Sequence, residues 1–426
     1  MILTLVVLPL VLLVFGFPVF VILLAASALT LVVFMNVPAS AIHQNLFGGL
    51  TSVSLLAVPF FIFAGELMSR GSVASRLVGF VRPMASRLPG ALGVTTVGTA
   101  TVFGAISGAS AAAVVAVGKV MHKPMVDSGY PTSFSAGIIT STSAIGIIIP
   151  PSIPMIIYGA SAETSIPRLY AAGVFPGLLL AVALAIYVII RSRAGQFGTT
   201  ERYSLRDMAH ASGRAFWALG APIIVLGGIY GGIFSPTEAA AVACVYAIVV
   251  TRFVFRELGW RDILQSAMAT VLFTGQILVI AAAAGLFSWL LTVNQIPMNL
   301  VTWIASLDIN AWQFLLAVNL ILLLWGCFMD PLSAILLLTP LLMPLVDVFG
   351  IDRVHFGIVM TLNLAIGLFT PPFGINIFVA QSVLGMKISD IYRGIIPFLF
   401  IFLCVLIAVT FFPQISLSSA NFFLAK

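Results

Sequence analysis

The sequence writes "AIGIIIPPSIPMII" over residues 144–157 and "AIGLFTPPFGINIF" over residues 365–378, so a Pro-Pro pair interrupts an apolar segment twice, 221 residues apart. Each pair removes two backbone donors and disfavours helical geometry in the residue before it. The carbonyls released in this way need partners. In a membrane such breaks survive where they line a cavity or bind an ion.

Composition makes a membrane the setting. Of 426 residues, 61% are hydrophobic and 8% charged, with a mean hydropathy of +1.19, whereas a soluble domain carries about 25% charged residues. The chain is therefore read as an all-α polytopic membrane protein without a soluble domain. Its start lacks a basic n-region and a small-residue cleavage site, so the first apolar run is expected to remain as membrane helix. Cys244, Cys327 and Cys404 lie in apolar stretches without a metal-ligand spacing and read as packing residues. The net charge of +6 sits in short loops, which makes it an orientation signal in contact with lipid rather than a nucleic-acid footprint.

Twelve of the 19 basic residues fall in three loops: Arg70, Arg76, Arg82 and Arg87; Arg191, Arg193, Arg202, Arg206 and Arg214; and Arg252, Arg256 and Arg261. All three are placed in the cytoplasm. Residues 215–251, divided by "GGIYGGIFSPTEA", then make two spans, out and back. Residues 88–119 are interrupted by "FGAISGASAA" and read as a re-entrant hairpin, because about 20 residues are needed for each full crossing. The first Pro-Pro segment, 131–161, is a broken span going out, and 168–190 returns. Beyond the third loop a span near 268–293 goes out, an amphipathic stretch surrounds Trp303, and "WGCFMDPLSA" interrupts a second hairpin over 312–349. The second broken span and a last span at 394–412 follow.

The halves correspond in detail. "PMVD" at Pro124 matches "PLVD" at Pro344, "IPRLYAAGVFP" from Ile166 answers "ISDIYRGIIP" from Ile388, and "FGFP" ending at Pro18 answers "FSP" ending at Pro236. The first hairpin enters from the cytoplasm and the second from outside, which makes the halves inverted-topology repeats, a transporter signature. By the same analogy residues 1–35 are two short helices bent at Gly16 and Pro18. The expected organisation is a first repeat over 1–190 (scaffold 1–69, arm 70–87, hairpin and broken helix with the following span 88–190), a linker over 191–214, and a second repeat over 215–413 (scaffold 215–293, arm 294–310, remainder 311–413).

At each break the carbonyl-rich end of the first half-helix attracts a cation and the amide-rich start of the second attracts an anion. Ser107, Gly108 and Ser110 are expected to cap the helix after the first tip. Asp330 is expected to cap the one after the second, with Pro331 at its first position. A lone proline kink is ordinary packing, but two Pro-Pro pairs at matched repeat positions, each after a broken hairpin, point to function. Asp330 can be a simple cap, yet an intramembrane acid is a functional candidate. Glu66 and Glu163 read as interfacial, and Glu238 in "SPTE" as ordinary first-turn chemistry. His43, His122, His210 and His355 all fall in or beside loops.

"FGAISGASAA", "AIGIIIPPS", "FSPTEAAAVA" and "GLFTPPFG" together resemble the large membrane subunit of tripartite ATP-independent periplasmic (TRAP) transporters, the DctM-like family, over essentially the whole chain. The wording is similar to the sialic acid branch, and C4-dicarboxylate members share the motifs. The resemblance implies sodium-driven import of an organic acid anion across the bacterial inner membrane by an elevator mechanism. It also implies two partners, a periplasmic substrate-binding protein and a small four-helix membrane subunit. Sodium is the implied coupling ion. One ion is placed at Ser107 with the carbonyls of Gly146, Ile149 and Pro151. The 221-residue shift places a second at Gly367, Thr370 and Pro372, with Asp330 supplying charge. The substrate carboxylate is placed between them, near Ser110, Ser152 and Gly374.

Other classes fit less well. No GxxxxGK[ST] is present for an ATP-driven pump, since Val120 follows Gly118 and Lys119. An intramembrane serine protease using Ser107 needs a histidine at membrane depth. A divalent-anion/sodium symporter of related fold, working without a binding protein, is the alternative, and a channel would show voltage-driven flux without sodium coupling.

Overall fold

The structure, a computed structural model, describes residues 3–198 and 205–424. Arg202 of the second basic loop lies outside them. Among the described residues all regular structure is helical, and six helices are long and apolar enough to cross a membrane. The first repeat runs α1 (Leu8–Val14), α2 (Val19–Leu29), α3 (Ala39–Gly48), α4 (Ala57–Arg70), α5 (Val73–Ala85), α6 (Ala91–Ser107), α7 (Ser110–Asp127), α8 (Thr132–Thr142), α9 (Ile153–Ser161) and α10 (Ile166–Gly195). The second runs α11 (Leu205–Tyr230), α12 (Pro236–Ile248), α13 (Trp260–Val293), α14 (Ile296–Ala305), α15 (Ala311–Gly326), α16 (Pro331–Val348), α17 (Arg353–Gly367), α18 (Ile375–Leu384) and α19 (Ile388–Phe411). A last helix, α20 (Gln414–Leu424), follows.

Local chemistry explains the boundaries. Gly16, at φ 75°, separates α1 from α2 with Pro18 as the next N-cap. Ser235 and Glu238 form a capping box at the start of α12, with Pro236 in its first turn. Each hairpin is two short helices around a tip, α6–α7 and α15–α16, and each broken span is two more, α8–α9 and α17–α18.

The packing is reciprocal. Helix α7 of the first hairpin lies against α18 of the second broken span, and α16 of the second hairpin lies against α9 of the first. Helix α4 packs on α12, and α2 packs on α13. Such exchange of partners is what a two-fold relation between the repeats requires. Glu257, between α12 and α13, accepts from the Ser72 backbone N–H at 2.7 Å and pairs with Arg76 at 3.1 Å. This brings the first and third basic loops to one side of the molecule.

Three features depart from the sequence reading. The helix expected near 268–293 begins earlier, at Trp260, where Asp262 reaches back to the Gly259 N–H at 2.8 Å. Helices α3 and α20 were not expected. Nor was the burial of His355, which is 2% exposed in the first turn of α17, with Nδ1 3.0 Å from the Ser416 hydroxyl of α20. Helix α20 covers it. Ser419 bonds the Ala171 carbonyl of α10 from the same helix.

Candidate functional site: where two tips meet two breaks

The two Pro-Pro peptide bonds are both cis, at Pro150-Pro151 and Pro371-Pro372. In the first break α8 tightens into a 3-10 turn over Ser143–Ile147, and the chain turns before α9. Ser152 holds that turn. Its hydroxyl donates to the Ile147 carbonyl at 2.5 Å and accepts from the Met155 N–H at 3.4 Å. In the second break the Thr370 hydroxyl donates to the Ile366 carbonyl at 2.6 Å, while Gly374 precedes α18 without a side-chain cap.

At the first tip Gly108, at φ 60°, closes α6 with its N–H on the Gly104 carbonyl at 2.8 Å. Left-handed backbone of this kind favours glycine. The expected caps are not found there. The N-cap position of α7 is Ala109, with no side-chain cap; the Ser107 hydroxyl lies 3.5 Å from the Ala109 nitrogen, and Ser110 sits inside the helix. The second tip matches expectation. Asp330 Oδ1 accepts from the Leu332 and Ser333 N–H groups, both at 3.0 Å, with Pro331 in the first turn.

Each tip lies directly on the break of its own repeat. A methyl group on Gly104 would lie 2.3 Å from the Gly146 Cα, and one on Gly108 would lie 2.7 Å from the Pro151 carbonyl oxygen. In the second repeat a methyl on Gly367 would lie 2.4 Å from the Gly326 carbonyl oxygen. Contact this close leaves no room for side chains. It brings main-chain atoms of tip and break together, among them the carbonyl oxygens of Pro151 and Gly326, a donor type that a hard monovalent cation uses.

The residues expected to hold sodium have differing engagements in the two breaks. The Ile149 side chain packs towards Gly177 of α10. The Gly367 carbonyl accepts from the Thr370 N–H at 3.3 Å, and the Pro372 carbonyl accepts from the Tyr392 hydroxyl at 2.8 Å. Each oxygen keeps a second lone pair.

A cavity of about 240 Å³ lies where all four elements converge. Gly108, Ala109, Ser110 and Ala111 line it from the first tip, Ile147, Ile153 and Pro154 from the first break, Asp330, Pro331 and Leu332 from the second tip, and Leu368 and Ile375 from the second break. Helix α13 closes it with Phe273, Gln276, Ile277 and Ile280. Of the three expected substrate residues, Ser110 lines the cavity. Ser152 and Gly374 stand one residue before the lining residues Ile153 and Ile375, and the Ser152 hydroxyl is engaged with backbone.

Sequence reading missed Gln276 and Asn376. Asn376 is fully buried, and its Nδ2 reaches Ser110 Oγ at 2.7 Å and the Thr140 carbonyl at 3.1 Å. Both are amides inside apolar runs, "FTGQILVI" and "GINIFVA", a signal available in the sequence. A buried amide pair, Asn319 with Asn363, ties α15 to α17, and Asn319 also donates to Thr410 of α19 at 3.0 Å.

Two further cavities flank the centre. One of about 570 Å³ lies between α4–α5 and α7, beside Glu66, Arg70 and Lys119. Another, of about 230 Å³, lies at the opposite end beside Ser52 and Ser161.

Residues 6–415 match the family model described as tripartite ATP-independent periplasmic transporter, DctM component. The chain is 41% identical over 396 residues to the C4-dicarboxylate TRAP transporter large permease protein DctM of Pseudomonas aeruginosa, covering 93% of each chain. It is 39% identical over 410 residues to the isethionate TRAP transporter permease protein DctMQ of Oleidesulfovibrio alaskensis, covering 96% of this chain and 65% of that one. Identity to the sialic acid TRAP transporter large permease protein SiaM of Vibrio cholerae is 34% over 383 residues, 89% of each chain. Among solved structures, the YdaH transporter of Alcanivorax borkumensis, described as having an unusual topology, superimposes with a TM-score of 0.64 over 88% of each chain at 13% identity. That likeness concerns the fold alone. The relatives are named permeases, so the activity is transport rather than catalysis. Taken with the doubled tip-and-break architecture, the match over nearly the whole length places the chain in the DctM family, the large permease component of TRAP transporters.

Proposed function

We propose that this permease imports an organic acid anion across the bacterial inner membrane, driven by sodium, by moving the hairpins and broken helices as one body against a scaffold. The observation that carries the proposal is the central cavity, bounded by both tips and both breaks on one side and by α13 on the other. A ligand held there touches elements of both repeats and one wall of the scaffold. Tip-to-break contact in each repeat supports one sodium ion at Ser107 with the carbonyls of Gly146, Ile149 and Pro151, and a second at Gly367, Thr370 and Pro372 with Asp330 supplying charge. Binding of the ions would fasten each tip to its break, coupling ion occupancy to closure around the substrate.

The moving body is held together at one end by Arg353. Its guanidinium pairs with Asp347 at 2.8 and 2.6 Å and donates to the Ala162 carbonyl at 3.1 Å, while the Tyr158 hydroxyl donates to the Arg353 carbonyl at 2.7 Å. This joins α9, α16 and α17 of both repeats. The scaffold comprises α1–α4 and α11–α13.

Dicarboxylates, isethionate and sialic acid, named for relatives, all carry an acid group, as does the zwitterion ectoine named for two others, which supports a substrate bearing an anionic group. A periplasmic binding protein and a small membrane subunit complete the transporter. The combined name DctMQ, on a relative extending well beyond the matched region, supports the second partner. The test is uptake into proteoliposomes holding the reconstituted membrane subunits, with the cognate binding protein present or omitted and with an inward sodium gradient present or collapsed. Uptake should require both. Equal uptake without sodium removes the coupling, and equal uptake without the binding protein removes the tripartite assembly.

A further inference from the structure

We propose that Asn376 is a positioning residue for the anion: its amide fixes the Ser110 hydroxyl as a hydrogen-bond donor aimed into the central cavity. The inference rests on the reading of that cavity as the organic-anion site. Its starting point is a carbonyl. The Thr140 oxygen can only accept, so the Asn376 group facing it at 3.1 Å is the NH₂. The same nitrogen lies 2.7 Å from Ser110 Oγ and therefore donates to it. A hydroxyl that accepts on one side keeps its proton for another acceptor. Among the described residues Ser110 Oγ has no other hydrogen-bond partner, and Ser110 lines the cavity.

Two observations give this geometry a ligand. Asn376 Oδ1 is buried without a hydrogen-bond partner, a desolvation cost that an apolar side chain would avoid. Packing of α18 on α7 alone gives no reason to retain it. In addition, α7 starts without a side-chain cap, and Asn376 joins its first turn to that of α18, where the Asn376 and Ile377 N–H groups are already taken by the Leu368 and Gly374 carbonyls. A fixed hydroxyl donor and the open first turn of α7 thus stand together, which suits a carboxylate or a sulfonate. The arrangement spans 266 residues and both repeats.

The experiment measures anion affinity of the purified full-length permease in nanodiscs with sodium, using succinate, isethionate and N-acetylneuraminate as probes and following the tightest. S110A should weaken binding about tenfold, the scale of one hydrogen bond to a charged group. N376L should weaken it about fivefold or more by the same lost orientation, while the melting temperature holds or rises because the orphaned oxygen is gone. N376D should weaken it further, since its oxygen takes the Ser110 proton. In the S110A background, N376L should add nothing. Equal loss from N376L in both backgrounds, or loss of affinity only in step with a fallen melting temperature, would assign Asn376 to structure alone and overturn the inference. So would undiminished binding by N376L where S110A weakens it. Failure of all three probes on the unmodified chain, or full affinity of S110A, would instead overturn the anion reading of the cavity and the inference with it.

Discussion

The two repeats place the same backbone at their tips and breaks and dress it differently. In the first, the tip helix α7 starts uncapped at Ala109 and the break helix α9 is capped by Ser152. In the second, the tip helix α16 is capped by Asp330 and the break helix α18 starts uncapped at Gly374. Because packing is reciprocal, the two uncapped starts, α7 and α18, lie together, and the two capped starts, α9 and α16, lie together. The central cavity is therefore polarised. One flank offers the open first turn of α7, and the other carries the Asp330 carboxylate. Inverted symmetry supplies the frame, and its breaking supplies a direction for the ligand.

Four measurements break or sharpen this comparison. The largest effect should come from the shared backbone. G104A and G367A each drive a methyl into main-chain atoms of the facing segment, and such overpacking costs about 1–3 kcal/mol. Both should abolish uptake and lower the melting temperature, whereas G79A, with nothing within 4 Å, should do neither. If one of the pair transports normally, tip-to-break contact is not equivalent in the two repeats. Next comes D330N. Asparagine caps a helix about as well as aspartate, so stability should change little, while the sodium half-saturation of uptake should rise about tenfold with the lost charge. An unchanged sodium titration would leave Asp330 as a cap.

A109S should have a smaller, two-sided effect. Ala109 has extended backbone angles suited to an N-cap, so a serine there should stabilise α7 by about 0.5–2 kcal/mol. It would also occupy amides offered to the anion, and anion affinity should fall several-fold as the melting temperature rises. A rise in both would contradict the open flank. The smallest effect concerns the arm. Glu257 is partly desolvated, which raises its pKa, but the Ser72 hydroxyl and N–H and the Arg76 guanidinium outweigh this and hold it below the ordinary carboxylate value. A depressed native pKa stabilises above the unfolded value and loses that contribution as pH falls through the native one. Attachment of the arm should thus be constant near neutrality and loosen below about pH 4.5, seen as faster amide exchange at residues 72–76. E257Q should show the fast exchange at all pH values.

Much of the frame was legible because its signals are local. Pro-Pro, Asp-Pro and Ser-Pro-Thr-Glu are read from a few adjacent residues, and the breaks, the second tip and the start of α12 followed from them. The first tip was legible as a tip but not in its chemistry. Three small residues, Ser107, Gly108 and Ser110, offered themselves as caps, but the left-handed turn at Gly108 puts Ala109 at the N-cap instead. Asn376 escaped because its partner Ser110 is on another repeat and its meaning arises only from packing. Helix α20 escaped because a short segment after Pro413 reads as a tail, and only α10 and His355 give its polar face a place to bury.

Gly65 of α4 faces the Ser107 backbone of the first tip so closely that a methyl there would lie 2.9 Å from the carbonyl oxygen. Under the elevator reading this is the surface along which the cargo-bearing body travels. A bare main-chain track has no rotamers to rearrange and no side chain to ratchet over, so the barrier at that point stays low. Friction, rather than binding, is what such a residue governs, and its influence belongs to turnover rate.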